Sequence, residues 1–318
     1  MARYDFIIKG GRYFDGTGAL SFTRNLAIKD GRVVRVTADP IADDDAERVI
    51  DASGLWVMPG FLDTHTHYDA ELLVSPSLSE SVRHGVTTAL VGSCSLSMVC
   101  SDYEDASDIF TRVETVPRER VLPILKAHKT WSTPRQWVEH LRQVPLGPNI
   151  ISFLGHSDLR VGVMGLSRAT DLSTQPTEEE LKTMERLLKE ALDEGFLGLS
   201  TMCLKWDKVD GDREWSKSLP STYARWSEIA RLNKLVRAYN RYLAQACARS
   251  EKRIRWVMIP PLKSVEDTIV EMNWARENGA VGIFFRGIER DRTMDDPYFF
   301  PIYAEAQRLD MPICAHVA

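Results

Sequence analysis

The feature that most constrains this chain is a change of rhythm near residue 60. Before it, short β-type runs follow one another with tight turns; after it, short apolar runs alternate with longer amphipathic ones. Strands separated by helix-length runs do not close as hairpins and come together as a parallel sheet with crossover helices. The expected class is therefore α/β, with a small β unit over residues 1–57 and a larger α/β unit over residues 58–318.

The opening unit carries three strand-like runs: Tyr4–Ile8, Asn25–Ile28 and Arg32–Val36. Asp30-Gly31, between the last two, is a two-residue hairpin signal because both residues accept positive φ. An apolar stretch from Leu55 to Asp63, interrupted by Pro59-Gly60, then leads directly into His65-Thr66-His67. Further strands are expected at Val86–Val91, Asn149–Leu154, Phe196–Ser200, Ile254–Ile259, Val281–Phe285 and Pro312–Cys314. Thr177 with Glu180 reads as a capping box opening a helix over Leu181–Leu192 that ends by Gly195. Other helices are expected at Leu232–Arg249, Val265–Glu277 and Tyr298–Leu309. Counting Leu55–Leu62 as the first, seven strands have the larger unit's pattern.

Composition narrows the function classes. A formal charge of −5 offers no basic stripe for a phosphate backbone, so a small-molecule substrate is expected and nucleic acid is not. Arg3, Asp5 and Lys9 interrupt the first ten residues, and no later run approaches a membrane span, so the expected location is the cytoplasm. A homo-oligomer is left open. The five cysteines, Cys94, Cys100, Cys203, Cys247 and Cys314, are odd in number and irregularly spaced, which argues for free thiols over a disulfide framework.

Two histidines one residue apart at a strand end point the same way and can share a metal ion. His65 and His67 have that spacing, and imidazole suits zinc and similar divalent metals. Exposed histidines also fall at that spacing by chance, so the surrounding residues decide.

Those surroundings are specific. The run Pro59-Gly60-Phe61-Leu62-Asp63-Thr64-His65-Thr66-His67 resembles the metal-binding first barrel strand of the amidohydrolase superfamily. Tyr68-Asp69, His84-Gly85-Val86-Thr87-Thr88, Val91-Gly92-Ser93-Cys94, Gly155-His156-Ser157-Asp158-Leu159-Arg160 and Glu194–Thr201 are similar to N-acyl-D-amino-acid deacylases, over residues ~3–234. The resemblance implies a (β/α) TIM-type barrel with a small N-terminal β domain, and zinc or another divalent metal held by His65, His67 and Cys94. It also implies hydrolysis of a C–N amide bond in N-acyl-D-amino acids. Free cysteine is otherwise most often a small buried hydrophobe, and that alternative stands for Cys94. Many amidohydrolases use a carboxylated lysine on the fourth barrel strand; Phe196–Thr201 holds none, and Lys205 reads as solvated.

His156 and Arg160 match a substrate-facing part of the deacylase motif, where an arginine can hold a carboxylate in two hydrogen bonds. A salt bridge, at the surface or between domains, is the other reading of Arg160. His84 reads as a helix-end residue, and His128 and His140 as surface residues.

The deacylases take two further histidine ligands from later strands, whereas this chain has no histidine between His156 and His316. From about Tyr239 it resembles instead the amidohydrolase branch related to aminocarboxymuconate-semialdehyde decarboxylase. Asn240–Ala244, Arg255–Leu262, Asp295–Tyr303 and Met311–His316 carry that likeness, with a composite junction expected near residues 225–245. It implies His316 as a fifth-strand metal ligand and offers a mononuclear-metal decarboxylase or hydrolase as the alternative function. No residue matches the eighth-strand aspartate of either branch, so the catalytic base is unknown and the barrel is expected to be incomplete at its C-terminus. A non-catalytic fragment retaining a metal half-site is the third expectation, with amide hydrolysis slower than in an intact relative.

Overall fold

The computed structural model describes residues 2–249, 256–262, 264–286, 288–289 and 292–316. It divides into two compact units, Met1–Phe61 and Leu62–Ala318, a few residues beyond the boundary expected from sequence.

In the first unit, β1 (Tyr4–Tyr13) pairs antiparallel with β2 (Phe22–Lys29), which pairs antiparallel with β3 (Arg32–Thr37). Asp30 and Gly31 join β2 to β3 with φ of 49° and 70°, the double left-handed turn that a twisted two-residue hairpin requires. Asp5 fixes that turn by accepting the Asp30 N–H and the Lys29 ammonium, each at 2.7 Å. Parallel to β1 run β4 (Ala46–Asp51) and β5 (Trp56–Val57). Tyr4, Ile7, Ala27 and Ile41 form the small core.

The second unit has the expected alternation. In chain order its strands are β6 (Phe61–Asp63), β7 (Val86–Val91), β8 (Asn149–Ser152), β9 (Leu154–Gly155), β10 (Leu199–Ser200), β11 (Trp256–Met258) and β12 (Ala280–Arg286). A short antiparallel pair follows, β13 (Ile288–Glu289) and β14 (Arg292–Thr293), and then β15 (Ile313–His316). β6, β7 and β8 are neighbours in one sheet, with β7 and β8 parallel. β9 and β10 are parallel, and β11, β12 and β15 form a third parallel set. Backbone bonds bridge the breaks: Phe153 N–H to Val91 O at 3.0 Å, Leu154 N–H to Gly198 O at 2.9 Å and Leu197 N–H to Ser152 O at 2.8 Å. The run expected as one strand over Asn149–Leu154 is thus two pieces with Phe153 between them.

The helices are α1 (Ser79–Arg83), α2 (Tyr103–Phe110), α3 (Arg118–His128), α4 (Pro134–Leu141), α5 (His156–Met164), α6 (Leu166–Ala169), α7 (Glu178–Asp193), α8 (Trp226–Arg249), α9 (Val265–Glu277) and α10 (Phe300–Arg308). The capping box is present in full: Thr177 Oγ1 accepts the Glu180 N–H at 3.3 Å, and Glu180 accepts the Thr177 N–H at 2.8 Å. His84 follows α1 as its C-cap, as a helix-end residue. The polar stretch around His128 and His140 carries α3 and α4, and His128 is exposed as expected. His140 is half-buried, with its ring 4.5 Å from that of Trp131, a correction to its expected surface position. Two cores result, one around Val91, Leu154, Met184 and Leu187, the other around Met258, Ile283, Phe285 and Phe299. Among the described residues no helix is long and apolar enough to cross a membrane.

Candidate metal centre

The site grows from the ends of β6 and β7. Just beyond β6, Thr66 is buried and binds Leu90 O through both its N–H, at 3.1 Å, and its hydroxyl, at 2.6 Å. Pinning the middle residue sets His65 and His67 on the opposite side. Their Nε2 atoms lie 3.2 Å apart.

Cys94 arrives from the loop after β7. Gly92 has φ of +72°, and a Cβ there would stand 2.1 Å from Phe153 O, so only glycine lets the chain turn at this point. Cys94 and Ser95 follow with φ of 53° and 67°, left-handed conformations that non-glycine residues adopt at a cost and that cluster at functional sites. The bend carries Cys94 Sγ to 3.3 Å from His65 Nε2. One ligand atom from each of His65, His67 and Cys94 lies within 4.8 Å of the others, a set able to hold a metal ion.

Several buried groups hold this loop. Asp69 accepts the Gly92 N–H at 3.1 Å. Asp158, in the first turn of α5 and without exposed surface, accepts from Ser97 Oγ (2.6 Å), Val99 N–H (2.8 Å), Cys100 N–H (2.9 Å), Ser101 N–H (2.8 Å) and Ser101 Oγ (2.5 Å). One carboxylate thereby ties residues 97–101 to α5.

Two acidic residues near the ligands are invisible to motif reading. Glu114 Oε1 lies 3.3 Å from His67 Nδ1, off the line of a hydrogen bond. Asp207 contributes a second negative charge, felt by both Glu114 and Cys94.

The electrostatics follow from burial beside these carboxylates. Burial first, and then the neighbouring His65, push the His67 imidazole down to about 4, so it is neutral near pH 7. Burial and then Asp207 push Glu114 up to about 7. Burial followed by Glu114 and Asp207 pushes the Cys94 thiol up to about 11. Burial also raises Asp69 to about 7 against the opposing Gly92 hydrogen bond. Two imidazole nitrogens, a thiol and nearby carboxylates are a donor set short of positive charge. A divalent cation supplies that charge and favours the thiolate, so the residues fit the metal.

His156 and Arg160 have a different place. Both are wholly buried: His156 contacts Thr201 Oγ1 through Nδ1 at 3.0 Å and Glu228 Oε1 through Nε2 at 2.8 Å, and Arg160 Nη1 pairs with Glu228 Oε2. Both are paired internally, because a guanidinium without solvent needs a counter-ion and Glu228 from α8 provides it. The salt-bridge reading of Arg160 finds its partner here, inside the protein and not at its surface. Lys205 is exposed. His316 closes β15, whose backbone pairs His316 with Arg286 in parallel; its side chain lies outside the described residues.

The profile of the amidohydrolase family matches residues 48–252. The chain belongs to this family. Among relatives of this amidohydrolase, an uncharacterized protein of Mycobacterium tuberculosis is 54% identical over 243 residues, which are 76% of this chain and 40% of that protein. N-acyl-D-aspartate deacylase of Alcaligenes xylosoxydans xylosoxydans is 34% identical over 200 residues, 63% of this chain and 37% of the deacylase. The crystal structure of D-aminoacylase superposes with a TM-score of 0.62 at 21% identity, over 99% of this chain and 58% of that one. N-acyl-D-glutamate deacylase from Bordetella bronchiseptica, solved with zinc and a phosphonate inhibitor, gives 0.61 at 21% identity, over 99% and 58%. The likeness to these structures establishes a shared (β/α)-barrel fold. The chain spans 37–40% of the length of the two sequence relatives described above.

Proposed function

We propose that this amidohydrolase serves a metal-dependent hydrolase of C–N amide bonds acting on N-acyl-D-amino acids, with zinc held by His65, His67 and Cys94. The observation that carries the reading is the convergence of their ligand atoms within 4.8 Å, with Cys94 on a left-handed turn held by the hydrogen bonds of Ser200. A divalent metal held by these three residues would supply Lewis-acid chemistry for polarising a carbonyl and activating water. The chain's own residues orient this set. Thr66 faces the histidines one way, Gly92 turns the loop, and Asp158 keeps the following segment in place. The 34% identity to an N-acyl-D-aspartate deacylase supports the substrate class.

The experiment has two arms. Elemental analysis of purified protein should show about one equivalent of zinc, lost in the His65→Ala/His67→Ala double variant; equal zinc in both overturns the ligand assignment. Turnover should appear with N-acyl-D-amino acids and not with their L-enantiomers. Release of carbon dioxide from aromatic carboxylates, without amide hydrolysis, moves the function to the decarboxylase branch.

A further inference from the structure

The imidazole of His67 faces two ways. Its Nε2 is turned to His65 Nε2 at 3.2 Å, while its Nδ1 is buried and makes no hydrogen bond among the described residues. Buried polar atoms in native proteins are rarely left so, and each exception calls for a partner close by. Glu114 Oε1 stands 3.3 Å from that nitrogen.

Glu114 is held there by the chain around it. Its N–H bonds Phe110 O at 3.0 Å, extending α2 by a turn, and Val116 N–H then returns to Thr111 O at 2.9 Å. Thr115 has φ of +56°, a left-handed conformation that is an outlier for a β-branched residue. Thr111, with no exposed surface, anchors the same turn by donating its hydroxyl to Asp210 at 2.8 Å. A carboxylate at the C-terminal end of a helix is opposed by the helix dipole, so this position is not one that α2 favours by itself.

We propose that Glu114 is the positioning residue for His67: its carboxylate accepts the Nδ1–H and fixes that tautomer, leaving the Nε2 lone pair toward His65 Nε2 and Cys94 Sγ. This rests on the metal-site reading above. It adds the carboxylate that orients a metal-binding histidine from behind, the arrangement by which outer groups set the tautomer and basicity of a ligand.

Histidine-selective 15N NMR of the metal-free protein tests the tautomer directly, with the His67 signals identified by their loss in His67→Asn. The wild type should show Nδ1–H at His67, and Glu114→Ala should show a mixture of tautomers. Glu114→Gln keeps the shape and guards against a folding failure. In competition with a chromogenic chelator, Glu114→Ala should bind zinc about 10–100-fold more weakly than wild type, while the exposed Glu119→Gln should match it. An Nε2–H tautomer in the wild type overturns the proposal, as does a Glu114→Ala protein with unchanged tautomer and zinc affinity. Failure of the wild type to bind zinc sinks the metal-site reading, and the metal-free spectrum still decides whether Glu114 sets the His67 tautomer.

Discussion

Ser200 grips the backbone on both sides of Cys94: its hydroxyl donates to Gly92 O at 2.5 Å and accepts the Ser95 N–H at 3.1 Å. A side chain at the end of β10 therefore braces the bend at the end of β7. Cys94 is in a left-handed conformation that the chain would leave if that brace were cut.

Ser200→Ala should accordingly loosen Cys94. The variant leaves the buried Ser95 N–H without this acceptor, at a cost of about 1–3 kcal/mol in urea unfolding, and zinc should leave faster in the presence of a chelator. Unchanged stability together with unchanged zinc retention would show that the bend holds itself.

Asp158→Ala should be among the most destabilising single changes in the second unit. It strips the acceptor from three backbone N–H groups and two hydroxyls at once, all on a segment with buried Ser97 and Ser101. The expected loss is about 3–5 kcal/mol, measured by chemical denaturation. A loss below about 1 kcal/mol would mean that water or a neighbour replaces the carboxylate.

The Glu228 cluster makes stability depend on acid. Burial works against the Glu228 charge, but His156 and Arg160 outweigh it and hold the carboxyl below the ordinary glutamate range. A carboxyl lowered by folding stabilises above its unfolded value and loses that contribution as pH falls through its folded value. Glu228→Gln should cost about 3–5 kcal/mol at neutral pH by stranding Arg160, with the gap to wild type narrowing only below the ordinary carboxylate range. Denaturation midpoints of both proteins from pH 7 to pH 3 give the curve. A gap that widens on acidification would contradict the assignment.

How much of this was legible in the sequence depended on whether a signal was local. The His65-x-His67 spacing, the Asp30-Gly31 turn and the Thr177–Glu180 capping box each follow from a few consecutive residues, and each has its expected geometry. Cys94 came only through family likeness, since spacing says nothing of a thiol 27 residues beyond His67. Glu114, Glu228 and Ser200 were missed because tertiary folding brings them in: Glu228 is 68 residues from Arg160, and Ser200 is 108 from Gly92. The partner of Arg160 was out of reach for the same reason, because its motif named a charged group without naming its counter-ion. One faint signal existed for Glu114, an acidic residue just before Thr115-Val116-Pro117, where a helix must end and a carboxylate is disfavoured.

The central claim is that Cys94 shares one metal ion with His65 and His67, and cobalt reports it most directly, because a thiolate bound to Co(II) gives a charge-transfer absorption that imidazole alone does not. Cobalt-loaded wild type and Cys203→Ser should both show that band in the near ultraviolet, and Cys94→Ser should lack it while retaining weaker visible bands from the two histidines. A charge-transfer band that survives in Cys94→Ser, or is absent from the cobalt-loaded wild type, would contradict the site.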